Sequence, residues 1–238
     1  MASKKILLGL TTFESDYKEK IKEIDKFNIK EISLFLTCVG YEDRKEIYKL
    51  LKKTGLELIP HIHLRDDMNL KEIEYLEKRF NTQVFNIHGE KSAHPFLSFR
   101  DYPNIYRSKI YIENQDDVLS EEELKFFGGI CIDFSHWQDK ILFNRLDYDK
   151  KMRNIAKEFH IGCSHISAVG NKVVKSVDFQ FKEKVHKDFS KHHLDDLSEL
   201  DYIKNFINYL PNLISLELTN SFKEQLEIKK YLEKIINK

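Results

Sequence analysis

Gly128-Gly-Ile-Cys-Ile-Asp-Phe-Ser-His136 is the stretch on which the fold turns. Its two glycines stop a short helix predicted over 121–127, because glycine takes the left-handed conformation that ends a helix. The run that follows, ICIDF over 130–134, is short, apolar and bounded by a stop signal, and so reads as a strand. The strand carries Asp133 near its end, with His136 three residues on. A helical segment, with room for a break, fills 137–159. Upstream the same alternation gives strands over 109–113 (KIYIE), 83–87, 56–62 (LELIPHI), 31–37 (EISLFLT) and 5–10. Amphipathic helices over 16–27, 43–53 and 70–80 separate the first four. In the helix over 16–27, Ile21, Ile24 and Phe27 share one face. Downstream come a strand over 161–166, a long charged loop over 167–198 and a helix over 199–210 that stops at Pro211. A last strand over 213–218 (LISLEL) and a helix over 221–236 close the chain.

Eight strands, each followed by helix or loop, predict an α/β chain folded as a single (β/α)8 TIM barrel, one domain over 1–238. A doubly wound open sheet is the competing architecture. The first βα junction, Gly9-Leu-Thr-Thr-Phe13, has no GxGxxG, which counts against it. The 238 residues include only 8 Gly and 4 Pro, which excludes collagen-like and low-complexity classes. With 17 Phe and 11 Tyr, wholesale disorder is excluded too. Lys+Arg and Asp+Glu are both 39, so the net charge is zero; a general nucleic-acid binder carries a basic excess. Cys38, Cys131 and Cys163 form no CxxC pair and read as small buried hydrophobes in a reduced, cytoplasmic protein. The apolar stretch after Lys4 and Lys5 stops at Thr11, too short for a signal peptide, and no run is long enough to span a membrane.

In a barrel the C-terminal strand ends face the active site. Here they carry His61 and His63, His88, Glu113, Asp133 with His136, His165 and Glu217, and the loop after the seventh strand adds His192 and His193. A lone strand-end histidine is ordinarily a hydrogen-bonded surface residue, and Asp133 alone could cap the next helix. The set is harder to explain that way. Converging imidazoles and carboxylates are costly to bury unpaired, and a divalent cation resolves the cost. Neutral histidine nitrogens and carboxylate oxygens suit zinc or manganese.

These motifs resemble the superfamily of xylose isomerase-like sugar isomerases and epimerases, endonuclease IV and UV-damage endonuclease. Cys131-Ile-Asp-Phe-Ser-His136 resembles its strand-six D-x-x-H motif, Ile112-Glu113-Asn114 its strand-five glutamate, Ser164-His165-Ile166 its strand-seven histidine and Leu216-Glu217-Leu218 its strand-eight glutamate. The resemblance implies that Glu113, Asp133, His165 and Glu217 are the shared metal set. Pro60-His61, Asn86-Ile-His88-Gly89 and His192-His193 resemble the extra histidines of the endonuclease branch. That implies one to three ions, with His61, His88, His136 and His192 as further ligands. Ser190 stands where endonuclease IV has an aspartate, which puts the third ion in doubt.

Two reactions follow from the resemblance. The first is phosphoester hydrolysis by metal-activated water, with abasic or damaged DNA or a smaller phosphoester as substrate and Glu113, Glu217 and His136 as catalytic residues. The alternative is sugar or sugar-phosphate isomerisation with one ion and a carboxylate base, Glu113 or Glu217. In that case His61, His63 and His88 touch substrate and Arg65 or a nearby lysine binds its phosphate. Trp137 is a candidate wall of the site. The aromatic stretch over 96–106 and the charged stretch over 182–193 read as a packed loop and a solvated loop.

Overall fold

Strand residues in this chain alternate between two environments, and the alternation builds the barrel. The computed structural model describes residues 4–12, 17–65, 67–89, 102–115, 119–177 and 185–237. The strands are β1 (Lys5–Thr11), β2 (Glu31–Phe35), β3 (Leu58–His63), β4 (Val84–His88), β5 (Ile110–Glu113), β6 (Ile130–Asp133), β7 (Ile161–Ile166), β8 (Ala168–Val177), β9 (Val185–Lys191) and β10 (Leu213–Leu216). The first seven and β10 close a parallel barrel in which β10 lies between β1 and β7. This is a (β/α)8 TIM barrel. The helices are α1 (Tyr17–Lys26), α2 (Tyr41–Leu51), α3 (Leu70–Phe80), α4 (Asn104–Arg107), α5 (Glu121–Phe126), α6 (Phe134–Leu142), α7 (Leu146–Glu158) and α8 (Phe222–Ile236).

Successive strand side chains point to opposite faces. Ile6, Leu8 and Leu10 of β1, Phe85 and Ile87 of β4, and Ile110 and Ile112 of β5 join the main core with helix residues such as Ile24, Ile73, Leu76 and Ile228. Their neighbours Tyr111, Cys131 and Cys163 form a separate small cluster with Val84 and Leu213, the apolar floor of the barrel lumen. Above that floor the inward positions are mostly polar, with Phe35 the apolar exception beside His63 and His165. Local signals set the helices. Asn69 caps α3 by accepting from the Glu72 N–H at 3.1 Å, and left-handed Asn81 (φ 51°) ends it. A Ser221/Glu224 capping box starts α8.

Two expectations are corrected. Residues 167–198 are not one charged loop: β8 and β9 form an antiparallel hairpin within it. Val169, Val173 and Val174 are the β-branched signal that the lysines around them mask. Residues 199–210 do not form an α-helix but 3-10 turns, Leu197–Asn205 and Ile207–Tyr209. The apolar residues Leu200, Ile203 and Phe206 recur every third position, which matches three residues per turn. The segment over 137–159 divides at left-handed Asn144 (φ 59°) into α6 and α7, and α6 begins directly after the β6 aspartate. No helix among the described residues is long and apolar enough to cross a membrane.

Gly129 holds the turn into β6 at φ 124°, and a Cβ there would lie 2.2 Å from the His160 carbonyl oxygen. Gly129→Ala is expected to lower unfolding free energy by about 2 kcal/mol, from backbone strain and the forced shift of 160. Urea denaturation followed by circular dichroism measures it; an unchanged midpoint would show that the turn relaxes freely.

Candidate metal centre

The inward positions at the C-terminal strand ends bring six side chains together. Register pairs His88 with Glu113 and Asp133 with His165 on neighbouring strands. Glu217 follows β10 directly, its N–H bonded to the Ile166 carbonyl at 3.0 Å. Two ligand groups result, each with donor atoms within 4.8 Å of one another: Glu113, Asp133, His165 and Glu217, and His63, His88 and Glu113. Glu113 belongs to both. His63 Nε2 lies 3.0 Å from Glu113 Oε2 and 3.1 Å from His88 Nε2. His165 Nδ1 lies 3.5 Å from both Glu113 Oε1 and Glu217 Oε2.

Neighbouring groups fix these side chains. Asn86 Nδ2 donates to Glu113 Oε2 at 2.5 Å, and its Oδ1 faces His61 Nε2 at 2.9 Å. His61 Nδ1 in turn meets the Ser215 hydroxyl at 2.7 Å. A Ser215–His61–Asn86 chain thus runs from β10 across the lumen to Glu113. Asp133 Oδ1 accepts from Ser135 Oγ at 2.6 Å and from the His136 N–H at 2.9 Å. The same carboxylate therefore caps α6 and offers Oδ2 to the mouth. His63 Nδ1 donates to the Leu64 carbonyl at 2.8 Å, which in the neutral ring leaves Nε2 as a lone pair. Metal-ligating histidines are characteristically held this way. Phe35 packs edge-on against His165, with ring centroids 4.9 Å apart.

Several polar atoms here are buried and lack hydrogen-bond partners among the described residues: Asp133 Oδ2, both ring nitrogens of His165 and His136 Nδ1. Such atoms are costly to bury unless something binds them. They sit among Glu113, Asp133 and Glu217, which are 2%, 0% and 5% exposed. Burial pushes the Glu113 carboxyl up, but the facing His165 and His63 outweigh it and hold it well below the carboxylate range. Burial lowers His165, yet Glu113 and Glu217 raise it well above its ordinary value. Burial drives His88 down to about 3, so it is neutral and able to ligate. The donor set of imidazole nitrogens and carboxylate oxygens fits zinc or manganese.

The remaining sequence candidates take varied places. His136 sits at the rim, Nε2 4.0 Å from Asp133 Oδ2, its side chain 23% exposed. His192 stands beside the backbone of Glu217, Nδ1 3.3 Å from its carbonyl, outside both groups. His61 lies one layer deeper, grouped with Cys131 and His165, its ring nitrogens bonded to Ser215 and Asn86; His63 takes the rim position instead. Arg65 is engaged by Asp67 and the Thr37 carbonyl. Trp137 is buried against Phe134, Phe206 and Tyr209 with its N–H on Asp149, so it packs the helical layer and does not wall the mouth. The hydroxyl of Ser190 donates to Asp139 at 2.5 Å. Residues 96–101 and 182–184 of the two loop candidates lie outside the described residues, and Tyr102 and Tyr106 are buried. Sequence reasoning missed Asn86, Ser215 and Phe35. Asn86 and Ser215 stand two residues before His88 and Glu217, and period-two alternation would have found them.

Comparison of the sequence with protein-family models and with curated proteins finds no match in either.

Asn86→Ala frees the Glu113 carboxylate to rotate, and about 10–100-fold weaker metal binding is expected in competition with a chelating dye. Unchanged affinity would remove Asn86 from this role. The His165 shift gives a second expectation. Its folded value is raised, so the stability its proton contributes is complete below the unfolded value of 6.5 and is lost as pH rises through the folded value. Chelator-treated protein should therefore melt progressively lower as pH rises above about 6.5, and metal-loaded protein should not. A flat profile for the treated protein would contradict the assignment.

Proposed function

We propose that the chain is a divalent-metal-dependent phosphoester hydrolase whose two ions share Glu113. The observation that carries this reading is that one buried carboxylate belongs to two adjoining ligand groups. His63 and His88 would serve one ion, Asp133, His165 and Glu217 the other. Paired divalent ions activate water and neutralise the oxygens of an in-line displacement at phosphorus. The chain's own residues do the rest. Asn86 holds Glu113 toward both positions, and the Asp133 cap on α6 fixes His136 at the mouth. His136 at the rim, Nε2 4.0 Å from Asp133 Oδ2, would pass a proton to the leaving oxygen. The likeness of the strand-end motifs to the endonuclease IV branch supports the reaction class. The zero net charge favours a small phosphoester over duplex DNA.

One observation favours isomerisation instead: Glu113, Asp133, His165 and Glu217 make a complete one-ion site without His63 and His88. Metal counting separates the two. Mass spectrometry of protein purified without chelator should find two zinc or manganese ions per chain, one after His63→Ala, and turnover of bis(p-nitrophenyl) phosphate that drops at least about a hundredfold in Glu217→Gln. One ion in wild type, with aldose–ketose interconversion and no phosphodiesterase activity, would overturn hydrolysis.

A further inference from the structure

The outer face of the barrel holds a second concentration of one chemistry. Between α2 and α3 lies a cleft of about 450 Å³ whose rim carries Lys45, Lys49, Lys52 and Lys71. Its walls include Tyr41, Tyr48 and Tyr75. None of the metal-centre residues lines it. In a chain of zero net charge, so many lysines round one cavity need explaining.

The carboxylate that lines the cleft is already committed. Glu72, the one carboxylate in the lining, accepts from Arg44 Nε at 2.7 Å, Arg44 Nη2 at 3.0 Å and the Tyr48 hydroxyl at 2.7 Å. Arg44 is fully buried and also bonds Asp67 and the Val39 carbonyl. This network ties α2 to α3 and fixes the cleft's shape. Glu42 takes Lys45 at 2.7 Å, and the Lys45 ammonium lies over the Tyr41 ring, 4.9 Å from its centroid. The ammonium groups of Lys49, Lys52 and Lys71 have no ion pair or hydrogen bond among the described residues. Tyr41 and Tyr75 are 47% and 38% exposed. Tyr48, held by Glu72, backs Tyr75 with ring centroids 5.6 Å apart.

We propose that the α2–α3 cleft binds a nucleoside phosphate, its phosphate on Lys49, Lys52 and Lys71 and its base against Tyr75. Unneutralised ammonium groups call for an anion, and the rigid phenol rings call for a flat aromatic partner. The volume suits a small ligand rather than a track along a polymer. The absence of a basic excess across the chain also favours a free nucleotide over a nucleic-acid strand.

Isothermal titration of the full chain with adenosine monophosphate tests this. Saturable binding is expected, weakened by salt because the lysines are exposed. Lys49→Ala/Lys52→Ala and Tyr75→Ala should each weaken it by about tenfold or more, with melting temperatures confirming that both variants are folded. Adenosine and inorganic phosphate should each bind more weakly than the nucleotide. Glu217→Gln should bind it as wild type does, which separates this cleft from the metal centre and leaves the hydrolase reading to stand or fall alone. No binding at millimolar nucleotide, equal binding in the cleft variants, or loss in Glu217→Gln would overturn the assignment. A single-stranded oligonucleotide binding more tightly than the mononucleotide would overturn it in favour of a strand.

Discussion

Three carboxylates buried in one mouth of a barrel repel each other and have lost their water, so they stand only with positive charge among them. Glu113, Asp133 and Glu217 are in that position. The protein can supply the charge with protons on His165 and His63, or a divalent cation can supply it. The proton solution is incomplete. It leaves Asp133 Oδ2 and His165 Nε2 buried without hydrogen-bond partners among the described residues. A cation satisfies several donors at once, and so the same constraint that makes the mouth costly to fold makes it selective for what it binds.

The fold meets that cost by separating its two faces. Outward strand residues build the apolar layer with the helices, and inward residues build an apolar floor around Tyr111, Cys131 and Cys163, with Phe35 packed against His165 above it. Between floor and rim, Ser215, His61 and Asn86 form a hydrogen-bonded bridge. Each member satisfies its neighbour, so the lumen is polar without being unsatisfied, and its last link orients Glu113. His61 thus acts through geometry: it stands beneath the ligands and sets the carboxylate that both ligand groups share.

Much of this is legible in sequence because the determinants are periodic. Alternation of strand and helix, and the carboxylate or histidine at six of the eight barrel strand ends, survive in a one-dimensional reading. What escaped it depends on neighbours distant in the chain. His61 and His63 have the same sequence credentials, and only the register of β3 against β2 and β4 decides which reaches the rim. Trp137 follows His136 directly, yet α6 turns it away from the mouth into the helical layer. The hairpin of β8 and β9 hides behind lysines, because exposed strands alternate weakly when both faces carry charge.

That hairpin bears on which side chains reach the mouth. Asp139 of α6 is fully buried and accepts from the Phe189 N–H at 2.8 Å, the Ser190 N–H at 2.9 Å and the Ser190 hydroxyl. The contact fastens β9 to the helix that Asp133 starts. A second carboxylate at 190 would face Asp139 at hydrogen-bonding distance, and two buried anions there would repel unless one were protonated or a cation lay between them. Serine instead makes the position a donor to Asp139, and the hairpin is fastened by it. His192, two residues on, is left beside the Glu217 backbone and enters neither ligand group. The chemistry of the mouth is concentrated on the two groups that meet at Glu113.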